Sequence, residues 1–237
     1  MDVQEIAHQF FSFGLIYSVL FCIIRTIIDI YRWFSPKGKS SNLHTDAAAD
    51  SAEAFGERAE RRVEQELRDL DVPTLRNVFL QDPKGRLTEI DLLALVGSRI
   101  LVVEVKAWPG QIVADPSAKE WLQIKERGDR KTMANPLEQN RRHQRVLQTL
   151  LPTSASEGLV VFAAGTFEDG VPPGVVDVPA LLTIVTQTRQ AEPDDATLLA
   201  WGKLASWSTR QNKSELNQAL IAQITGRREQ VAVDGAM

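Results

Sequence analysis

TEIDLLALVGSRILVVEVKAWPGQI, residues 88–112, reads as two apolar strands joined by a tight turn. The turn is Gly97-Ser98: two residues with glycine first, the pattern of a type II′ hairpin. Counting back from it sets Val96 opposite Arg99 and Asp91 opposite Glu104. Strand alternation puts Lys106 on the Glu104 face, together with Leu93, Leu95, Ile100 and Val102. Ile90, Leu92, Ala94, Leu101, Val103 and Val105 fall on the other face. Strands apolar on both sides belong inside a sheet that is covered on both faces.

Asp91, Glu104 and Lys106 stand out in that setting. Directly opposed carboxylates, with Cβ atoms ~5 Å apart, repel and raise each other's pKa unless a cation lies between them. A divalent ion meets that need. Mg²⁺ (or Mn²⁺) takes oxygen ligands from one or two carboxylates, from phosphate and from water. Held by Asp91 and Glu104, such an ion would acidify a water and stabilise charge on a phosphoryl oxygen. Lys106 would orient or deprotonate that water, or neutralise the transition state. The plainer alternative is an ion pair of Lys106 with Glu104 or Asp91 at a sheet end. All three residues in one register favour a site.

Upstream, Phe55, Ala59, Val63, Leu67 and Leu70 recur at helical spacing, and Val72-Pro73 ends the helix. Residues 75–80 are strand-like, and a short strand is predicted at 120–125. Asn135-Pro136 opens a helix that runs to about residue 150, with Asn135 as N-cap. Residues 159–164 and 181–185 read as later strands, and 197–207 and 214–224 as terminal helices. This order predicts an α/β domain over residues 55–187 and a helical extension over 188–237.

Of the 237 residues 43% are hydrophobic, enough for a real core. A net charge of -4 is the wrong sign for a generic basic nucleic-acid binder, so any such contact needs a local patch. The single cysteine, Cys22, rules out an internal disulfide and a cysteine-based zinc site. His8, His44 and His143 show no metal-ligand spacing. Residues 6–24 carry no acidic or basic side chain other than His8 and approach the ~20 residues a membrane span needs. Arg25 can snorkel. Arg25, Arg32, Lys37 and Lys39 follow the span, with Tyr31 and Trp33 at the interface. By the positive-inside rule, residues 1–34 read as a single-pass anchor in the inner (plasma) membrane, with the bulk of the chain cytoplasmic. An interfacial or buried helix is the alternative, since Arg25 and Asp29 interrupt the span. Residues 35–54, rich in Ser, Ala, Gly, Lys and Asp, read as a flexible linker.

The stretch at 88–112 resembles the core of the nuclease-related domain, NERD, a family similar to the PD-(D/E)xK nucleases. The residues that carry the resemblance are Ile90-Asp91, Glu104-Val105-Lys106, Trp108 and Gly110. Upstream, FGERAERRVEQELRDL (residues 55–70) matches the family's helix. Val63, Leu67 and Leu70 place its glutamate on Glu60; Ala59 stands where the family usually has Gly, which leaves Glu57 as the other candidate. Downstream, Trp121 and NPLEQ, ending in Gln139, match as well. The resemblance covers about residues 55–151. It implies a restriction-endonuclease-like fold, a mixed central sheet flanked by helices. It also implies DNA processing with Mg²⁺ or Mn²⁺. Asp91, Glu104 and Glu60 would be the metal ligands, and Lys106 and Gln139 would complete the catalytic set. Activity is not uniform in the family, so a catalytically inactive module that binds nucleic acid or a partner at the membrane is the alternative.

Lys131, Arg141, Arg142 and Arg145 form the local basic group that would hold DNA phosphates, against the alternative of a solvated helix face. Glu60 shares a face with Glu57 and Glu64, which alone would read as a solvated acidic face. Gln139 could equally be a surface residue. Trp108 and Trp121 favour core packing over base stacking.

Overall fold

The computed structural model describes residues 46–152 and 155–234. The expected anchor at 1–34 lies outside the described residues. Among those residues no helix is long and apolar enough to cross a membrane. In chain order the elements are α1 (Asp46–Arg68), β1 (Thr74–Gln81), β2 (Leu87–Val96), β3 (Arg99–Val113), β4 (Glu120–Ile124) and β5 (Arg130–Ala134). Then come α2 (Pro136–Leu150), β6 (Ser156–Phe167), β7 (Val175–Asp177), α3 (Val178–Thr188), α4 (Asp195–Arg210) and α5 (Lys213–Asp234).

All seven strands join one mixed sheet. An antiparallel path runs β1-β2-β3-β4-β5, and β6 adds to β3 in parallel and carries β7. The order of neighbours makes β3 the centre. Its first half pairs β2, its last residues pair β4, and β6 follows it along the opposite edge.

Two apolar layers sandwich the sheet. Val63 and Leu67 of α1 pack with Leu92, Ala94, Leu101 and Val103, and Leu181 and Val185 of α3 close the same layer. The other layer holds Val78, Ile90, Leu93, Ile100 and Val102 against Leu147 of α2 and Leu204 of α4. Each fully buried aliphatic side chain contributes roughly 1.5–3 kcal/mol. Trp121, Phe162 and Ile112 make a third cluster, joined by Trp108. Trp121 is therefore a core residue, its ring stacked on Phe162 at 6.2 Å, and half-buried Trp108 packs at the margin, meeting Phe162 edge-on at 5.5 Å.

Several local expectations change. Residues 46–54, expected as linker, are helical from Asp46 onward. Five of those nine residues are alanine, the best helix former, and acidic residues suit a helix start. Residues 181–185, expected as a strand, lie in α3. Their β-branched character is overridden by Asp177, which accepts the Ala180 N–H at 2.8 Å, and by Pro179 at the helix start. Leu181 and Val185, four apart, then face the core together. The short strand β5 had no sequence signal; it exists by pairing with β4.

α4 and α5 pack into the same compact unit as the strands. Gln211 pairs with both the N–H and the C=O of Phe79 on the edge strand β1. That contact covers backbone groups which would otherwise invite another strand.

Candidate active site

The hairpin register holds from Val96 opposite Arg99 to Leu92 opposite Val103. Of the two turn residues only Gly97 has positive φ, 54°, as a type II′ turn requires. One step beyond Leu92 the ladder stops. Asp91 does not pair with Glu104, nor with Asn77 on its other side. Asn77 sits at φ 52°, a left-handed conformation that asparagine tolerates. The kink shifts side-chain alternation in both strands. Leu75 and Val78 reach the same core layer, and so do Ile90 and Leu93. Residues three apart cannot share a face in an unbroken strand. Ile90 therefore lies in the layer opposite to the one alternation predicts.

Asp91 uses the break. Its Oδ2 accepts the Val105 N–H at 2.8 Å, in place of the ladder bond that β2 no longer makes. On this edge of β3, β4 begins to pair only at Gln111. The interval is a fork between β2 and β4, and Glu104 and Lys106 stand in it.

Glu104 is fully buried. Its Oε1 accepts from the Lys106 ammonium, which also lies 5.9 Å from the centre of the Trp108 ring. Its Oε2 has no hydrogen-bond partner. Burial pushes Glu104 up to about 8; Lys106 opposes the shift, and Asp91 and Glu60 add to it. Burial also raises Asp91, against Lys106, the Val105 N–H and the adjoining Glu104 carboxyl. For Lys106 burial disfavours the charge, but Glu104 and Asp91 outweigh it and hold the ammonium above its ordinary value. Carboxyls are thus partly kept neutral around a firmly charged lysine.

Helix α1 supplies the third carboxyl. Burial, then Asp91 and Glu89, push Glu60 up to about 7, and its Oε2 accepts no hydrogen bond. The Arg76 guanidinium stands 3.9 Å away. Glu57 instead forms an exposed pair with Arg61 at 3.1 Å, and Glu64 is held by Arg68 and Arg76. Of the three helix glutamates, Glu60 is the one in the field of Asp91, Glu104 and Lys106.

Helix α2 brings the rest. Asn135 caps it as expected, accepting the Leu137 N–H at 2.9 Å. Buried Asn140 donates to Val102 O at 3.0 Å and to Leu159 O at 2.9 Å, pinning the helix to β3 and β6. Gln139, Arg142, His143 and Arg145 then line a cleft of about 680 Å³ with Asp91. Arg141 pairs with Glu138 and does not line it, and neither does Lys131 on β5. The sequence reading missed Lys84 and Arg86, which reach the cleft from the β1–β2 turn. Their basic turn is visible in the sequence; its place beside α2 is not.

Residues 55–163 match the family model of NERD, the nuclease-related domain. That segment runs from α1 into β6 and is similar to a nuclease-related domain. No curated protein and no solved structure matches the chain.

Proposed function

We propose that the protein is a metal-dependent nuclease that hydrolyses phosphodiester bonds in DNA at the β2–β3 fork, on a restriction-endonuclease-like, PD-(D/E)xK fold. The bond of Lys106 to buried Glu104, with Asp91 and Glu60 close enough to shift that carboxyl, supports this reading. Among the described residues no three His, Cys, Asp or Glu side chains are grouped to hold a metal by themselves. Two carboxylates suffice for Mg²⁺ or Mn²⁺ when phosphate and water complete the shell. The fit rests on the buried Oε2 atoms of Glu104 and Glu60, neither of which accepts a hydrogen bond, and on carboxyls whose ionisation a cation would favour. Asp91 and Glu104 would hold the ion, with Glu60 beside them. Bound there, it would supply an acidified water and charge stabilisation at the phosphoryl group.

The chain's own groups do the remainder. Lys106, held protonated, presents positive charge to a phosphoryl oxygen. Glu60, near 7, can accept or release a proton at neutral pH. Gln139 would orient the scissile group, and Arg142 and Arg145, which line the same cleft, would hold flanking phosphates. Residues 1–34 would tether this activity to the inner membrane, facing the cytoplasm.

A second reading, a catalytically inactive nucleic-acid-binding module, is favoured by one contact: the Lys106–Glu104 bond occupies an oxygen that a cation would use. Incubating the full-length chain with DNA and Mg²⁺ or Mn²⁺ separates the two. Cutting that disappears in Asp91→Ala, Glu104→Ala and Lys106→Ala supports the nuclease. Equal cutting by all four proteins would sink it. Binding without cutting would support the second reading.

A further inference from the structure

Three walls of the cleft flank a floor that β2 forms with Thr88, Glu89 and Asp91. Helix α2 presents Arg142 and Arg145, the β1–β2 turn presents Lys84, and α5 presents Leu220, Gln223 and Ile224. The α5 wall is tied in place: Gln223 accepts the Leu87 N–H at 2.9 Å and donates to Leu87 O at 3.0 Å. At the start of the same helix the Lys213 ammonium donates to Arg76 O at 2.6 Å. The cations differ in availability. Arg86 is bound by Asp82. The side chains of Lys84, Arg142 and Arg145 have no carboxylate partner among the described residues.

Size then limits the occupant. A cleft of about 680 Å³ lies within the ~300–1,000 Å³ that takes one small ligand. That is room inside the cleft for one or two nucleotides. Unpaired cations on two walls suit the phosphates of a single backbone. The apolar third wall, with Leu220 and Ile224, suits the unstacked faces of bases.

We propose that the cleft takes a single, unpaired DNA strand, with phosphates at Lys84, Arg142 and Arg145 and bases against the α5 wall. This deepens the nuclease reading and rests on it for the location of the chemistry. It gives residues 213–224 a role: they exclude the second strand.

The test uses the full-length chain with one oligonucleotide, offered unpaired or fully paired. Binding is measured by anisotropy without divalent metal, and cutting with Mn²⁺. The expected result is at least about tenfold tighter binding of the unpaired form and faster cutting of it. Lys84→Ala should weaken unpaired-strand binding and lower its salt dependence. Leu220→Ala with Ile224→Ala should narrow the preference. Single-strand preference without any cutting supports the cleft assignment while removing the nuclease reading. Cutting of paired DNA at an equal or higher rate overturns the cleft assignment and leaves the nuclease standing. A chain that neither binds nor cuts either form overturns both.

Discussion

Glu104 Oε2 and His143 Nδ1 face each other at 3.8 Å, both buried and neither with a hydrogen-bond partner. Burial first, then Arg142 and Lys106, hold His143 down to about 4, so its ring is neutral at physiological pH. With Glu104 pushed up to about 8, the contact is not an ion pair. An imidazole kept neutral behind the carboxyl leaves Lys106 as the cation that meets Glu104.

The two shifts have opposite consequences for stability. Glu104 binds its proton more tightly when folded, so its contribution is full below about 4.5 and is lost as pH rises to about 8. Glu60 behaves alike, up to about 7. His143 binds its proton less tightly when folded, so its contribution is present above 6.5 and is lost as pH falls to about 4. Two glutamates outweigh one histidine above about 4.5, so the metal-free chain should melt highest near pH 4.5 and fall toward alkaline pH. Each limb slopes by at most about 1.4 kcal/mol per pH unit for each group. Thermal melts across pH 4–9 check this, and Glu104→Gln should flatten most of the alkaline fall. An unchanged alkaline limb in that variant would contradict the assignment.

Divalent metal should offset the same alkaline loss. At pH 8, Mg²⁺ or Mn²⁺ at a hundred times Kd should stabilise the wild type by about 2.7 kcal/mol. Calorimetry should show no such gain for Asp91→Asn or Glu104→Gln. A gain that survives both substitutions would place the ion elsewhere.

Lys106 and Arg142 should fail differently. Lys106→Met removes the charge at the reacting group, and kcat should fall by about 10²–10³. Arg142→Ala removes a phosphate contact away from it, so KM should rise while kcat holds, and the salt slope should drop by ~1. Steady-state rates at several salt concentrations distinguish the two. A kcat loss of the same size in Arg142→Ala would remove the distinction.

Asn140 should matter for stability rather than chemistry. Asn140→Ala leaves Val102 O and Leu159 O without their side-chain donor and should cost about 1–3 kcal/mol, read from the urea midpoint. Gln139→Ala, one residue earlier and half-exposed, should leave the midpoint within ~0.5 kcal/mol. An Asn140→Ala chain as stable as the wild type would mean that α2 is held by its apolar face alone.

Much of the site was legible because its signals are local. Glu-x-Lys alternation aims two side chains at one face, and Asn135-Pro136 starts a helix wherever it lies. The choice of Glu60 over Glu57 was not legible: both lie on one helical face, and only the packing of α1 on the sheet turns Glu60 toward Asp91. The same holds for Arg142 and Arg145 against Arg141. Their destinations differ by one residue's rotation about the helix axis, which spacing alone does not orient.

By itself the sequence determined the hairpin, its register through Leu92–Val103 and the residue types brought to its end, because a two-residue turn leaves no freedom in counting. The tertiary structure decided what happens at Asp91. Asn77, kinked on the neighbouring strand, breaks the pleat, sends Ile90 to the other layer and frees the Val105 N–H for the Asp91 carboxylate. Alternation predicts a face only while the strand stays regular. Where it breaks, the neighbouring chain and the helices packed above decide where a side chain points.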